Sequence, residues 1–138
     1  MTPVLLDTGC IVALLDRSEK YHERCVEVVS EIGGVLATCE AVIAESCYLL
    51  RSLPAAVDAI LDNVERGIFE IPFRLSTCSK PLRALLKRYA SVPMDFADAC
   101  LVCMADELTT SRILTLDRDF EIYRWRKARK FDLLIELD

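Results

Sequence analysis

Residues 4–15 of the chain read VLLDTGCIVALL, a short apolar run that ends at Asp7 and continues as an apolar helical pattern. A second apolar run, residues 113–116, again ends in a carboxylate, Asp117. Apolar runs that alternate with helical patterns are typical of βα units, whose parallel strands are buried on both faces. Ligands of such sheets bind beyond the carboxyl ends of the strands, which is where Asp7 and Asp117 are expected to lie.

The rest of the chain continues the alternation of strand and helix. Apolar runs predict strands at 3–6, 35–37, 68–71, 112–116 and 132–137. Longer patterns predict helices at about 8–15, 22–32, 40–51, 55–65, 77–90, 96–107 and 119–127. The sequence therefore predicts an α/β fold, a three-layer α/β/α sandwich around a mostly parallel sheet of about five strands. The length of 138 residues suits one domain that spans 1–138.

The composition restricts the class of protein. Hydrophobic residues make up 53% of the chain, which is enough for a packed core and excludes a disordered chain. The longest apolar runs are too short to cross a membrane, and the opening has no basic region of the kind that precedes a secretory signal. Seven cysteines, mostly in apolar helical contexts, indicate reduced thiols and a cytoplasmic protein.

Four carboxylates far apart in sequence lie where apolar segments meet helices: Asp7, Glu45, Asp98 and Asp117. Three of them have ordinary explanations, because Asp7 and Asp117 could be N-caps, and Asp98 follows a possible cap at Asp95 by three residues. Asp119 is a second candidate cap beside Asp117. The net charge of −5 argues against a protein that binds nucleic acid through bulk charge alone.

Glu45 has no such explanation, because it lies in the middle of an apolar helical stretch that is expected to be buried. A buried carboxylate is costly unless it is paired or bound to a metal, so the alternative is a salt bridge to Arg51 or Arg112. A divalent, oxygen-preferring ion would bring the four acids together at least cost. The pattern thus indicates metal-assisted chemistry on a phosphate.

Four segments carry a resemblance to a known family: residues 5–16, 38–45, 94–99 and 114–120. In order and spacing they resemble the PIN-domain nucleases, and most closely the VapC-type toxins of toxin–antitoxin pairs. The resemblance covers essentially the whole chain and implies an endoribonuclease that leaves a 5′-phosphate and a 3′-hydroxyl. It also implies a homodimer and a cognate antitoxin protein as partners.

The resemblance assigns the family's acidic quartet to Asp7, Glu45, Asp98 and Asp117. We expect Asp7 and Asp98 to contact Mg²⁺ or Mn²⁺ directly or through water, with Glu45 and Asp117 completing the shell or orienting water. Thr8 and Thr115 resemble the family's hydroxyls beside the site. Asp95 and Asp119 are nearby acids for which two roles stay open, assistance to the site or helix capping alone.

Two further features have competing interpretations. The basic stretch 123–130 could bind RNA through Arg124, Arg126 and Lys127, could meet an acidic protein partner, or could be a solvated face with Trp125 against the core. The single histidine, His22, is predicted to be a solvated surface residue, and the pair Cys100 and Cys103 to be core packing.

Two other functions remain open at this point. One is a PIN-like RNA-binding or scaffold domain without catalysis, against which the intact quartet argues. The other is a metal-dependent phosphohydrolase acting on small substrates. The missing second aspartate two residues after Asp7 argues against an aspartyl-phosphate mechanism in that class.

Overall fold

A five-stranded parallel sheet forms the centre of the protein in a computed structural model, which describes residues 2–138. Its strands are β1 (Val4–Leu6), β2 (Leu36–Ala37), β3 (Phe69–Glu70), β4 (Arg112–Leu114) and β7 (Asp132–Leu133), while β5 (Arg124–Trp125) and β6 (Arg129–Lys130) form a separate hairpin. The strand order is β3-β2-β1-β4-β7, and each neighbouring pair is parallel. The prediction of a parallel sheet of about five strands is confirmed.

Six α-helices within residues 2–138 connect and cover the strands. They are α1 (Thr8–Leu15), α2 (His22–Ser30), α3 (Glu40–Leu49), α4 (Pro54–Glu65), α5 (Leu75–Arg88) and α6 (Phe96–Leu108). Pro54 begins α4, where its missing N–H costs nothing. None of the helices within residues 2–138 is both long and apolar enough to cross a membrane.

The core lies on both faces of β1 and around α6. All three residues of β1 are fully buried, as expected for the central strand of a doubly covered sheet. Helix α6 is buried without a break from Ala97 to Ala105, and this run contains Cys100 and Cys103. All seven cysteines are free thiols, which confirms the core-packing interpretation of that pair.

The predicted helix at 119–127 is wrong. A four-residue 3₁₀ helix (Arg118–Glu121) is followed by an antiparallel hairpin of β5 (Arg124–Trp125) and β6 (Arg129–Lys130). Arg126 and Lys127 turn the chain with φ angles of 45° and 66°, in the left-handed region that non-glycine residues rarely adopt. The turn therefore lacks the glycine or asparagine that would have marked it in the sequence.

The predicted environment is correct for Trp125 under one interpretation and wrong for His22. Trp125 is 5% exposed, and its indole N–H donates to the Lys130 carbonyl at 3.2 Å, so it packs against the core as one interpretation held. His22 is half-buried rather than solvated, because its Nδ1 donates to the Ala13 carbonyl at 2.6 Å. The surface prediction for His22 is therefore wrong.

Candidate active site

A groove of about 790 Å³ lies beyond the carboxyl ends of β1 and β4. Among the described residues that line it, seven are acidic and Arg118 alone is basic. The acids are Asp7, Glu19, Glu45, Asp95, Asp98, Asp117 and Asp138. The groove thus brings the four predicted quartet acids together from four separate parts of the chain.

Asp7 is fixed at the junction of β1 and α1. Its backbone N–H donates to the Leu114 carbonyl at 3.0 Å, which ties the end of β1 to β4. Its Oδ1 accepts from the Thr8 N–H at 2.8 Å, so Asp7 is the N-cap of α1. Its Oδ2 accepts from the Thr115 hydroxyl at 2.7 Å. Both oxygens are therefore oriented by donors of the protein, and Asp7 is 6% exposed.

Asp98 lies in the first turn of α6, whose N-cap is Asp95. The Asp95 side chain accepts from the Asp98 N–H at 2.8 Å, as the capping interpretation predicts. The Oδ2 atom of Asp98 accepts from the Tyr123 hydroxyl at 3.0 Å. Tyr123 is fully buried and packs edge-on against Phe120, so this donor is held in place. Asp98 is therefore a buried carboxylate with one strong orienting contact.

Asp117 follows β4 and caps the 3₁₀ helix. Its Oδ1 accepts from the Asp119 N–H at 2.9 Å, so Asp117 and not Asp119 is the cap. Its own N–H donates to the Thr115 hydroxyl at 3.0 Å. Thr115 therefore links Asp7 and Asp117 through one fully buried oxygen. Asp119 is half-buried beside Asp117 and does not line the groove.

Glu45 lines the groove, but the prediction that its side chain is buried is wrong. Its side chain is exposed, because α3 buries only Val42 and Ser46 and leaves its outer face uncovered. The alternative salt bridge to Arg51 or Arg112 is also absent from the described residues. Arg51 instead stacks on the Tyr48 ring at 4.1 Å and donates to the Tyr48 carbonyl. Because it is exposed, the Glu45 carboxylate can face the groove without the free-energy cost of desolvation.

The four quartet acids, unlike Asp138 of the same groove, lack cationic partners in the part of the chain that the structure describes. No ion pair found within residues 2–138 includes a member of the quartet. Burial raises the pKa of Asp7 from its ordinary 3.8 to about 6, against the lowering effect of the Thr115 hydrogen bond. Burial and then the charge of Asp7 raise the pKa of Asp98 to about 8. The carboxylates of the quartet therefore repel one another, and a bound cation would relieve this repulsion.

The donor set fits a hard divalent ion. Across residues 2–138, no three carboxylate, imidazole or thiol side chains lie close enough to enclose an ion by themselves. Mg²⁺ does not need such a cage, since it keeps several waters and binds through one or two carboxylates. The Thr8 hydroxyl is buried in the wall of the groove without a hydrogen-bond partner in the described structure. This orphaned oxygen and the adjacent carboxylates suit an ion with a partial water shell.

The basic residues of the hairpin lie outside the groove. Arg124, Arg126 and Lys127 instead border a separate apolar pocket of about 270 Å³. The Arg124 guanidinium donates to three carbonyls of its own chain segment, and that of Arg126 donates to the Thr109 hydroxyl. Both arginines therefore also have structural contacts.

Two residues of the site were missed by the sequence analysis. Tyr123 was treated as part of a basic helix, and no local signal connects it to Asp98, which is 25 residues earlier. Arg118, the basic residue of the groove, directly follows Asp117, so its proximity to the site could have been read from the sequence.

Comparisons with known proteins identify a family and a similar fold. A family model described as PIN domain matches residues 4–125. Ribonuclease VapC26 of Mycobacterium tuberculosis (strain ATCC 25618 / H37Rv) is 28% identical over 118 residues, which cover 83% of this chain and 87% of that protein. The crystal structure of Mycobacterium tuberculosis VapC20, a sarcin-ricin loop cleaving toxin, has a similar fold. Its TM-score is 0.81 at 16% identity, over 91% of this chain and 98% of that chain.

Proposed function

This chain belongs to the PIN domain family, and on that premise we propose that it is a metal-dependent endoribonuclease. The observation that carries the proposal is the convergence of Asp7, Glu45, Asp98 and Asp117 in one groove without cationic partners. The similarity to a protein named as a ribonuclease over most of both chains supports it. We propose that residues 1–138 act as one nuclease unit around the single core described above.

We assign the metal to Asp7 and Asp98. An Mg²⁺ or Mn²⁺ ion there would neutralise charge on the phosphate and lower the pKa of a water molecule. Thr115 and Tyr123 fix the rotamers of these two carboxylates through hydrogen bonds of 2.7 and 3.0 Å. Such preorientation limits the reorganisation needed during the reaction.

The other groove residues act around these two. Glu45, which is exposed, and Asp117, which is half-buried, are assigned to holding water at the reacting phosphate. Asp95 and Asp119 add negative charge and assist the site through their positions beside Asp98 and Asp117. Of the hydroxyls, Thr115 positions Asp7, and Thr8 offers an additional neutral oxygen.

The test is cleavage of RNA by the purified wild type and its Asp7→Asn variant, with Mg²⁺, with Mn²⁺ and with EDTA. We expect cleavage by the wild type with metal, a loss of at least about a hundredfold in the variant, and none with EDTA. Asp58→Asn is the matched control, because Asp58 is an exposed acid of α4 outside the groove. Cleavage by Asp7→Asn at the wild-type rate would refute the assignment.

The same assay separates the two other functions. RNA binding with metal but without cleavage would indicate a binding or scaffold domain. Hydrolysis of a small chromogenic phosphate ester without RNA cleavage would indicate a small-substrate phosphohydrolase.

We further propose that this ribonuclease is the toxin of a cytoplasmic toxin–antitoxin pair, since VapC20 is described as a toxin. The seven free thiols fit a reducing compartment. Co-expression with the product of the neighbouring gene tests the pair: the growth arrest caused by the wild type should be relieved by its antitoxin. Asp7→Asn should cause no arrest.

A homodimer is the quaternary structure we propose. Its support is a set of exposed apolar side chains on α3 and α4, where Tyr48 is 63% exposed and Leu49 and Leu61 are each 53% exposed. We propose that the partner subunit covers them, since larger exposed apolar patches commonly mark interaction sites. Light scattering should give twice the monomer mass of 15.6 kDa, and Leu61→Asp should lower it to the monomer value.

Arg124, Arg126 and Lys127 are proposed to add a modest electrostatic contribution to RNA binding. Double charge reversal at Arg126 and Lys127 should weaken RNA binding and flatten its dependence on salt. Unchanged binding would leave these residues with the structural contacts described above.

A further inference from the structure

A short segment beside the groove lies against three cationic side chains. Leu137 and Asp138 both line the groove. The Asp138 carboxylate lies 3.6 Å from Lys20 Nζ and 3.9 Å from Arg24 Nη1. Arg118 donates to the Asp138 carbonyl oxygen. Asp138 thus contacts all three cations, two through its carboxylate and Arg118 through its main chain, while Arg118 also lies 4.0 Å from the Glu121 carboxylate.

The segment is held by main-chain contacts as well as by charge. Arg24 donates to the Glu136 carbonyl at 2.5 Å, and the Asp138 N–H donates to the Tyr21 hydroxyl at 3.4 Å. The Tyr21 ring, which lines the groove, has Lys20 at 5.2 Å and Arg24 at 5.9 Å from its centroid. Both cations therefore also contact an aromatic ring of the groove.

An RNA strand needs positive charge at more than one phosphate. The proposed ion at Asp7 and Asp98 accounts for the reacting phosphate, whereas the remaining acids of the groove repel the neighbouring ones. Among the described residues, Arg118 within the groove and Lys20 and Arg24 at its rim can compensate this repulsion. In the free protein all three face Asp138.

We propose that Lys20, Arg24 and Arg118 form a subsite for an RNA phosphate next to the reacting one, which Asp138 occupies until RNA displaces it. The proposal rests on the ribonuclease function proposed above. The ion pairs are exposed, with 70% of the Lys20 side chain and 64% of the Asp138 side chain accessible to solvent, so they are weak and readily exchanged. An internal RNA phosphate has one negative charge and two non-bridging acceptor oxygens, so it matches the carboxylate that it would replace.

The experiment measures binding of a fluorescein-labelled single-stranded RNA by anisotropy over a range of NaCl concentrations. All proteins carry Asp98→Asn, so that cleavage does not disturb the measurement. Arg118→Gln should weaken binding and reduce the slope of log K against log salt by about 0.7, the loss of one single-strand phosphate contact. Asp138→Asn should tighten binding by about two- to fivefold.

Two controls separate the subsite from a general effect of charge. Glu136→Gln makes the same change of net charge two residues away, at a side chain that has no ion pair in the described structure, and should leave affinity nearly unchanged. The gain in affinity from Asp138→Asn should disappear when Lys20 and Arg24 are both replaced by Gln. The cations that the loss of the Asp138 carboxylate would free are then absent.

Several results would overturn the proposal. They are an equal gain from Glu136→Gln, a gain from Asp138→Asn that persists without Lys20 and Arg24, or no RNA binding by the Asp98→Asn protein at low salt. Failure of the ribonuclease function appears separately, as absence of metal-dependent cleavage by the wild type. If cleavage occurs, Arg118→Gln should raise KM and leave kcat nearly unchanged, and the reverse pattern would also exclude the subsite.

Discussion

Replacing Asp98 with Asn should make the metal-free protein more stable. Asp98 is 6% exposed, and burial followed by the charges of Asp7 and Asp95 raises its pKa to about 8. Asn has nearly the same shape and keeps an oxygen that can accept from the Tyr123 hydroxyl. The substitution therefore removes a buried, repelled charge while it preserves the contact that orients the side chain.

The magnitude follows from the pKa of Asp98. The difference between about 8 and the ordinary 3.8 is about 4 units, which at 1.36 kcal/mol per unit gives an upper bound of about 6 kcal/mol. Relaxation and water entry reduce such penalties, because effective dielectric constants near 20 describe even buried groups, so we expect about 2 kcal/mol. For a chain of this length that corresponds to an increase in Tm of about 6 °C.

The sign of the pH dependence is fixed by the direction of the shift. The folded pKa lies above the unfolded one, so the folded protein binds the proton more tightly. The wild type then loses stability as pH rises from about 4 to about 8, and the loss is constant above that. Asn is neutral at every pH, so the advantage of Asp98→Asn should grow over the same window.

The assay is urea and thermal unfolding in EDTA at pH 4.5, 7 and 8.5. We expect the gain at pH 8.5 to be at least twice that at pH 4.5, and Asp58→Asn, an exposed substitution on α4, to give no gain at any pH. A destabilising effect of Asp98→Asn, or a gain that is the same at all three pH values, would refute the electrostatic argument. Mg²⁺ should then stabilise the wild type more than the variant, because it binds the carboxylate that the variant lacks.

Three further substitutions test the supports of the site. Thr115→Val should destabilise the protein by about 1–3 kcal/mol and raise the pKa of Asp7 above about 6. The rise of cleavage rate with pH should then move to higher pH, whereas the matched buried Thr110→Val should destabilise without moving the profile. Tyr123→Phe should leave the fold intact by circular dichroism and weaken Mg²⁺ binding by about tenfold in calorimetry, and unchanged affinity would remove its positioning role. Lys127→Gly should raise stability by about 1 kcal/mol in thermal unfolding because φ is 66° there, and Lys127→Ala, which keeps the strain, should not.

The fold and the strand-end and helix-start acids of the groove could be predicted because their signals are local. An apolar run that ends in a carboxylate and continues as a helix identifies the end of a parallel strand, and both β1 with Asp7 and β4 with Asp117 follow this rule. The three-residue spacing from the N-cap Asp95 to Asp98 is an equally local signal, and the structure has this cap. These signals hold because strand ends and helix starts depend on a few neighbouring residues.

The failures have physical causes that the sequence does not display. The apolar composition of α3 predicted burial of Glu45, but composition does not say what covers a helix, and the outer face with Tyr48 and Leu49 has no covering element in the described chain. The hairpin that positions Tyr123 closes through two non-glycine residues with positive φ, so the usual turn residues are missing. Both failures concern tertiary context, which overrides local propensity.

The capping and metal-binding interpretations of the quartet acids are not alternatives, because a carboxylate has two oxygens. Asp7 uses Oδ1 to accept from the first N–H of α1, and Asp117 uses Oδ1 to accept from the N–H of Asp119. Each cap fixes the side-chain rotamer and leaves lone pairs of the second oxygen for another partner. The capping hydrogen bond, which alone could account for the residue, therefore also holds the carboxylate in place for a ligand. A cap at the end of a parallel strand, beside a second carboxylate on a neighbouring strand, should be weighed as a site and not discounted as a cap.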